Sequence, residues 1–254
     1  MRTFLIGAAY PFRALAFLAR SSGLWGYIVL PILINLAVGA TIYAGLLLAG
    51  LRWVEGVVAG LPEWAVPLAF LLQALLVIGL LIVTGFLLVR FGVLFGSPFY
   101  GKLSERIEQQ QTGQAPPAEP LTAAGVARDL WRSLAYELKK LALALSVGLL
   151  LLLANLVPVA GQALASAGGI ALGTLIACLD FLDPPLERRR LGFRQKLGVV
   201  RRSMPGSAGF GLVCLGLVSI PLVNLLAIPL CITAGTLYYC DQILPRAAQN
   251  PRQL

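Results

Sequence analysis

Hydrophobic positions along this chain fall in long blocks rather than in short alternations. Tyr27–Gly50 holds 24 residues without a charge, and Ala65–Val89 is a second such block, ended by Arg90. At 1.5 Å per residue the first is about 36 Å long as a helix, enough to cross a hydrocarbon core of about 30 Å. Leu141–Leu179 holds 39 uncharged residues, too many for one span, and Asn155-Leu-Val-Pro-Val-Ala-Gly161 interrupts it. Ser207–Tyr239 repeats the design with 33 uncharged residues broken at Pro221-Leu-Val-Asn224, and its first arm has only 14. Cys and Asp follow each pair within a few residues (Cys178, Asp180; Cys240, Asp241), a weak internal repeat. Repeated Pro-interrupted pairs occur in transporters. An ordinary helical hairpin with a Pro/Gly turn gives the same pattern.

The polar stretches complete the map. Residues 1–26 are apolar with Arg2, Arg13 and Arg20; Pro11 interrupts them, and Arg13 stands beside the Ala14-Leu15-Ala16 that resembles a signal-peptide cut. They predict an interfacial helix with Phe4, Phe12, Leu15 and Phe17 at the lipid boundary. Leu51–Glu63 predicts a short loop with Arg52 and Glu55, flanked by Trp53 and Trp64 at a membrane interface. Residues 97–140 predict two helices around the break Thr112–Pro120, the second with Val126, Leu130, Leu134, Leu138 and Leu141 on one stripe. Residues 180–206 predict a basic loop with seven Lys/Arg between 188 and 202, and 242–254 a tail. The whole reads as a single membrane domain over 1–254, with an interfacial helix 1–26, transmembrane helices 27–50 and 65–89, cytoplasmic helices 97–140 and hairpins 141–179 and 207–241.

Composition narrows the class. With 58% hydrophobic and 12% charged residues and a mean hydropathy of +0.84, the chain is an integral membrane protein; soluble domains carry about 25% charged residues. There is no His, and the four Cys (178, 214, 231, 240) form no C-x-x-C pair, so zinc, haem and disulfide frameworks lack their ligands and no cofactor is expected. The Cys read as buried small side chains. The net charge of +9 borders apolar segments, the signature of cytoplasmic loops and of contact with anionic membrane lipid rather than nucleic acid. All Lys/Arg but Arg52 fall on one side if both hairpins return to the side they left, which predicts cytoplasmic termini. That count fits six full spans or two spans with two re-entrant hairpins; the 14-residue arm favours the second.

Candidate chemistry gathers where the second apolar block ends. Gly96-Ser-Pro-Phe-Tyr-Gly-Lys-Leu-Ser-Glu-Arg-Ile-Glu108 reads as a helix start, with Ser97 as N-cap and Pro98 at the first helical position. Free N–H groups at such an end can hold an anion, and a capped helix leaving the bilayer gives the same pattern. Asn35 is the one strongly polar side chain of the first block, suited to interhelical packing or to lining a path. An anion would be gathered by the basic segments, with Asn35, Arg90 and the Ser97–Gly101 helix start replacing its water. There is no nucleotide-binding glycine loop for ATP hydrolysis. Without His, a catalytic base would be Glu105, Asp180 or Asp183, none of which has a nucleophile beside it, so an enzyme is not expected.

The order Gly23…Leu30-Pro-Ile-Leu-Ile-Asn35, Ser97-Pro-Phe…Gly101…Leu103-Ser-Glu105…Glu108, Cys178-Leu-Asp180-Phe and Ile220-Pro-Leu-Val-Asn224…Ala234-Gly-Thr236 resembles the CysZ family of bacterial sulfate permeases, within the larger etoposide-induced-protein-like membrane family. The resemblance covers nearly the whole chain. It implies an all-α integral membrane protein with two long transmembrane helices, two hemi-penetrating helical hairpins and a cytoplasmic helical segment. It implies a multi-pass protein of the bacterial inner membrane and homo-oligomers, with subunits that can sit antiparallel. The implied activity is uptake of sulfate or a similar oxyanion for cysteine synthesis, through a path to which Pro98, Phe99, Gly101, Glu105 and Glu108 are linked by their positions. In the family a Gly before the first long helix is followed by two arginines. Here Gly23 precedes Leu24-Trp25-Gly26, which leaves backbone N–H groups and Arg20 to meet an anion. The missing pair favours the alternative, a non-transporting membrane scaffold of the same fold.

Overall fold

The computed structural model of the chain describes residues 1–59, 66–114, 123–157, 160–220 and 223–249. The described residues are helical, with no strand among them. They form two compact units, one of Gly26–Phe99 and one of Met1–Trp25 with Tyr100–Leu254.

The Gly26–Phe99 unit is built from α3 (Gly26–Val58) and the first part of α4 (Val66–Thr112). Leu36, Leu48, Leu75 and Leu81 are more than half exposed, as a lipid-facing surface requires. Tyr43 and Gly50 of α3 meet Val77 and Leu76 of α4: the Tyr43 hydroxyl donates to the Val77 carbonyl at 3.5 Å. Arg52, Trp53 and Glu55 belong to the last turns of α3, not to a loop. The apolar spacing simply continues past Gly50, so the helix outlasts the uncharged block.

The other unit starts with two short helices, α1 (Arg2–Ala8) and α2 (Tyr10–Arg20), with Pro11 in the first turn of α2, where its missing N–H costs nothing. Tyr10, Ala14 and Leu18 line the buried face of α2, while Phe12 and Leu15 remain exposed. Then come α5 (Ala123–Ala154), α6 (Ala160–Glu187), α7 (Phe193–Arg202), α8 (Gly206–Val218), α9 (Val223–Tyr238), a π-helical turn over Tyr239–Ile243 and α10 (Leu244–Gln249). Helix α6 packs against α5, α8 and α9. Close approach is set by glycines: a Cβ on Gly211 would lie 2.4 Å from the Cys178 sulfur, and one on Gly235 2.1 Å from the Phe181 carbonyl oxygen. Small residues at such contacts replace the hydrophobic drive that lipid removes. All four cysteines are free and buried.

Among the described residues three stretches are long and apolar enough to cross a membrane: Ser22–Gly56, Ala160–Glu187 and Val223–Ala247. Phe70–Thr84 and Gly206–Val218 are shorter apolar helices. The chain is thus an all-α membrane protein. Two expected boundaries move. The apolar arm beginning at Leu141 is continuous with the amphipathic segment before it, as one helix α5. The basic stretch 180–206 is mostly helix, because α6 runs on to Glu187 and α7 follows five residues later.

Candidate functional site

The end of α6 organises the main polar cluster. The N–H of Leu191 bonds the Leu186 carbonyl at 3.3 Å and that of Arg190 the Glu187 carbonyl at 2.7 Å, with Arg190 at φ 54. This pair of bonds is a Schellman turn, completed by the buried side chains of Leu186 and Leu191. The tight turn sends the next two side chains, Arg188 and Arg189, onto α4 instead of into water. Arg188 Nη2 donates to Glu108 Oε2 at 2.6 Å and to Ser104 Oγ at 3.0 Å, and its Nη1 to the Gly101 carbonyl at 3.3 Å. Arg189 Nη2 donates to Glu108 Oε1 at 2.5 Å and its Nη1 to the Pro185 carbonyl at 3.0 Å. The Arg189 guanidinium lies 4.7 Å from the centre of the Tyr239 ring. Thr236 Oγ1 donates to Ser104 Oγ at 2.8 Å.

Burial differs within the cluster. The Glu108 side chain is 3% exposed, those of Arg188 and Arg189 15% and 17%. Ser104, Thr236 and Tyr239 are fully buried. Two polar atoms here have no hydrogen-bond partner among the described residues, Arg188 Nε and the Tyr239 hydroxyl. Burial works to raise the pKa of Glu108, but hydrogen bonds from Arg189 and Arg188, with their charges, outweigh it and hold the carboxyl below its ordinary value. Arg189 is pushed above its ordinary value: burial opposes this, and the bond to Glu108 overcomes it.

A second cluster joins α5, α6 and α7. Lys196, 1% exposed, donates to Asp183 Oδ1 at 2.5 Å and to Glu187, and its Nζ stands 4.1 Å from the centre of the Tyr136 ring. Lys140 bonds Asp180 at 2.5 Å and Glu137 at 2.9 Å, and Arg132 lies 3.9 Å from Glu187. Tyr136 donates to the Leu179 carbonyl at 3.1 Å. Burial first, and then the four carboxylates, push its phenol up, so it stays neutral.

The expected site residues divide among these places. Gly101 and Glu108 are brought together by Arg188. Glu105 is half-buried on the same helix. The helix start expected at Ser97 is absent, because α4 runs without a break from Val66 to Thr112 and passes through Ser97 and Pro98. Free N–H groups of a helix start are therefore not offered there, since mid-helix amides are bonded to carbonyls four residues back. The side chains of Asn35, Arg90, Ser97 and Pro98 lie outside the described residues; Phe99 is half-buried. Asn224 closes the turn into α9, its N–H on the Ile220 carbonyl at 3.0 Å. Arg20 is exposed. Gly23 sits in a 3-10 turn, Ser22–Leu24, in which the N–H groups of Leu24 and Trp25 already bond Ser21 and Ser22, and the Trp25 indole bonds the Leu18 carbonyl. Leu24 is buried, so the place of the first absent arginine is part of the core.

Ser104, Arg188, Arg189, Lys196 and Tyr239 were not singled out by sequence reasoning. Ser104 lies one turn before Glu108 on the same face, and Asp180, Asp183 and Glu187 recur at helical spacing; both were available signals.

Residues 10–229 match the sequence profile of the family described as Sulfate transporter CysZ/Etoposide-induced protein 2.4. A protein of Pectobacterium atrosepticum named Sulfate transporter CysZ is 25% identical over 231 residues, covering 91% of this chain and 83% of that protein. A protein of the same name from Salmonella typhimurium is 25% identical over 219 residues, covering 86% of each. Since the profile spans residues 10–229, nearly the whole chain, this protein belongs to the Sulfate transporter CysZ/Etoposide-induced protein 2.4 family.

Proposed function

We propose that this protein is a multi-pass permease of the bacterial inner membrane that passes sulfate or a related oxyanion. The observation that carries this is the match, over 91% of the chain, to a protein named as a sulfate transporter. The chemistry of the Arg188–Arg189 cluster supports it, since two adjacent guanidiniums in an apolar helical body are suited to a tetrahedral anion. On this reading Arg20 and the basic segments gather the anion. Asn35, Arg90 and the polar groups of α4 from Gly101 to Ser104 replace part of its water, and the hairpins around 155–161 and 220–224 are re-entrant. The protein works as a homo-oligomer, with antiparallel dimers as its unit, and moves the ion without chemistry on it.

Radiolabelled sulfate uptake into liposomes carrying the purified protein, beside empty liposomes, tests the reading. Saturable uptake that falls in Arg189→Gln is expected. Uptake equal to that of empty liposomes, from protein shown to be folded, overturns it in favour of the scaffold, which the buried Leu24 in place of a basic residue favours.

A further inference from the structure

We infer that Arg188 and Arg189 form an oxyanion site whose occupant in the unliganded protein is the Glu108 carboxylate, and that a tetrahedral dianion takes that carboxylate's place. The class of anion rests on the permease reading; the exchange itself rests on the geometry.

The first argument is shape. Glu108 gives one oxygen to each guanidinium, at 2.6 and 2.5 Å, so a single small anion bridges the pair. A tetrahedral oxyanion presents oxygens at a similar spacing and has two more to offer. Spare donors are at hand, since Arg188 Nε and the Tyr239 hydroxyl are buried and without a partner among the described residues, an arrangement that is costly unless it is filled at some stage of the protein's work.

The second argument is charge. In the described ion pairs the two arginines share one carboxylate. Among the described residues one positive charge is left over in a largely dehydrated place, and burying an uncompensated charge is unfavourable. A dianion that displaced Glu108 would balance the pair fully, which a monovalent carboxylate cannot.

The third is mechanical. Each guanidinium is also held by neutral groups that do not depend on Glu108: Arg188 by the Gly101 carbonyl and Ser104, Arg189 by the Pro185 carbonyl and the face of Tyr239. The receptor half thus stays in place when the carboxylate swings away, so little ordering free energy is lost on binding. Exposure runs the right way too, with the arginines at 15% and 17% and the carboxylate beneath them at 3%. An arriving anion meets the donors first.

The test reads the released carboxylate. The full chain in detergent is treated with a water-soluble carbodiimide and a labelled amine at constant ionic strength, and labelling at Glu108 is followed by mass spectrometry. Sodium sulfate, sodium phosphate and sodium chloride form the three arms. Sulfate or phosphate should raise Glu108 labelling at least fivefold in a saturable way, with chloride inert. Calorimetric titration should show that Glu108→Gln, which removes the competing charge but keeps the shape, binds the same anion at least tenfold more tightly than the unaltered protein. Labelling that does not respond to either tetrahedral anion overturns the inference, and so does unchanged affinity in folded Glu108→Gln. Should that variant fail to fold, the labelling of the unaltered protein decides alone. Uptake of sulfate without a labelling response leaves the permease and removes this site; a labelling response without uptake does the reverse.

Discussion

Lys196 is the most completely buried charge in the described part of the molecule, and replacing it by Met isolates what its charge does. Methionine fills nearly the same linear volume. What is lost is the ammonium, 2.5 Å from Asp183, bonded to Glu187 and 4.1 Å from the Tyr136 ring centre. Removing one partner of a buried pair costs about 3–5 kcal/mol, because the other is left buried and uncompensated. The stranded carboxylates are 30% and 31% exposed, so water recovers part of that, and Glu187 keeps Arg132 at 3.9 Å. The expected destabilisation is about 2–4 kcal/mol after this discount. The triple variant Lys196→Met, Asp183→Asn, Glu187→Gln removes the stranded charges as well and should recover to within about 1 kcal/mol of the unaltered protein. Recovery is the diagnostic step: a cost due to lost packing would persist in the triple variant. Unfolding in mixed micelles with increasing SDS, followed by far-ultraviolet circular dichroism, measures all three. A single variant within about 0.5 kcal/mol of the parent, or a triple variant no better than the single, refutes the reasoning.

Further outcomes follow from individual contacts. Because Glu108 has its pKa below the ordinary 4.5, its pairing stabilises the protein above that value and the contribution is lost as pH falls through the lowered one. Melting temperatures measured from pH 7 down to 3 should therefore fall more steeply below about pH 4.3 in the parent than in Glu108→Gln; parallel curves would count against the ion pairs. Gly235→Ala puts a Cβ 2.1 Å from the Phe181 carbonyl oxygen and should cost about 1–3 kcal/mol in SDS unfolding. Gly148→Ala, with open space around its Cβ and a helical backbone, should gain about 0.5–1 kcal/mol. Tyr10→Phe removes a donor to Asp241 at 3.1 Å and an acceptor for Gln242 at 3.2 Å; a loss of about 1–2 kcal/mol is expected, and no change would place those bonds at the level of solvated contacts.

The apolar blocks were legible because lipid permits few alternatives. The breaks near Asn155–Gly161 and Ile220–Asn224 carry Pro in uncharged runs, and helices do end there. The helix start at Ser97 failed for a physical reason: Ser-Pro is a good cap signal, but a Pro inside a long helix costs only about 3 kcal/mol, and a 47-residue helix can absorb it. Residues 180–206 read as a loop because charge was counted and not placed. In α7 the buried stripe is Lys196, Val199 and Val200, so a lysine occupies a core position that a hydropathy pattern assigns to water. The partners on α6, in direct contact in space but 9 and 13 residues away in sequence, make that position tolerable. The Arg188–Arg189 cluster was illegible for a similar reason. Its carboxylate is 80 residues upstream, and the turn that aims the arginines needs Arg190 in a left-handed conformation that the residue type disfavours.

The two clusters are unbalanced in opposite senses, and this separates structure from exchange. Around Lys196 and Lys140 the described ion pairs join three cations to four carboxylates, so the cations there are over-held. At Glu108 two cations share one carboxylate, so the cations are under-held. Glu187 and Arg188, neighbours in sequence, mark the boundary between them. The excesses cancel in sum, which lowers the cost of keeping so many charges in a body of low dielectric. Locally they do not cancel. A cation offered to the first cluster finds its carboxylates engaged by lysines fixed on α5 and α7. An anion offered to the second finds, among the described residues, a net positive charge, idle donors and a single carboxylate as competitor. If oxyanion exchange occurs anywhere in the described part of this chain, the charge balance directs it to Arg188 and Arg189, and the over-held lysines next to them keep α6 and its terminal turn in place while it happens.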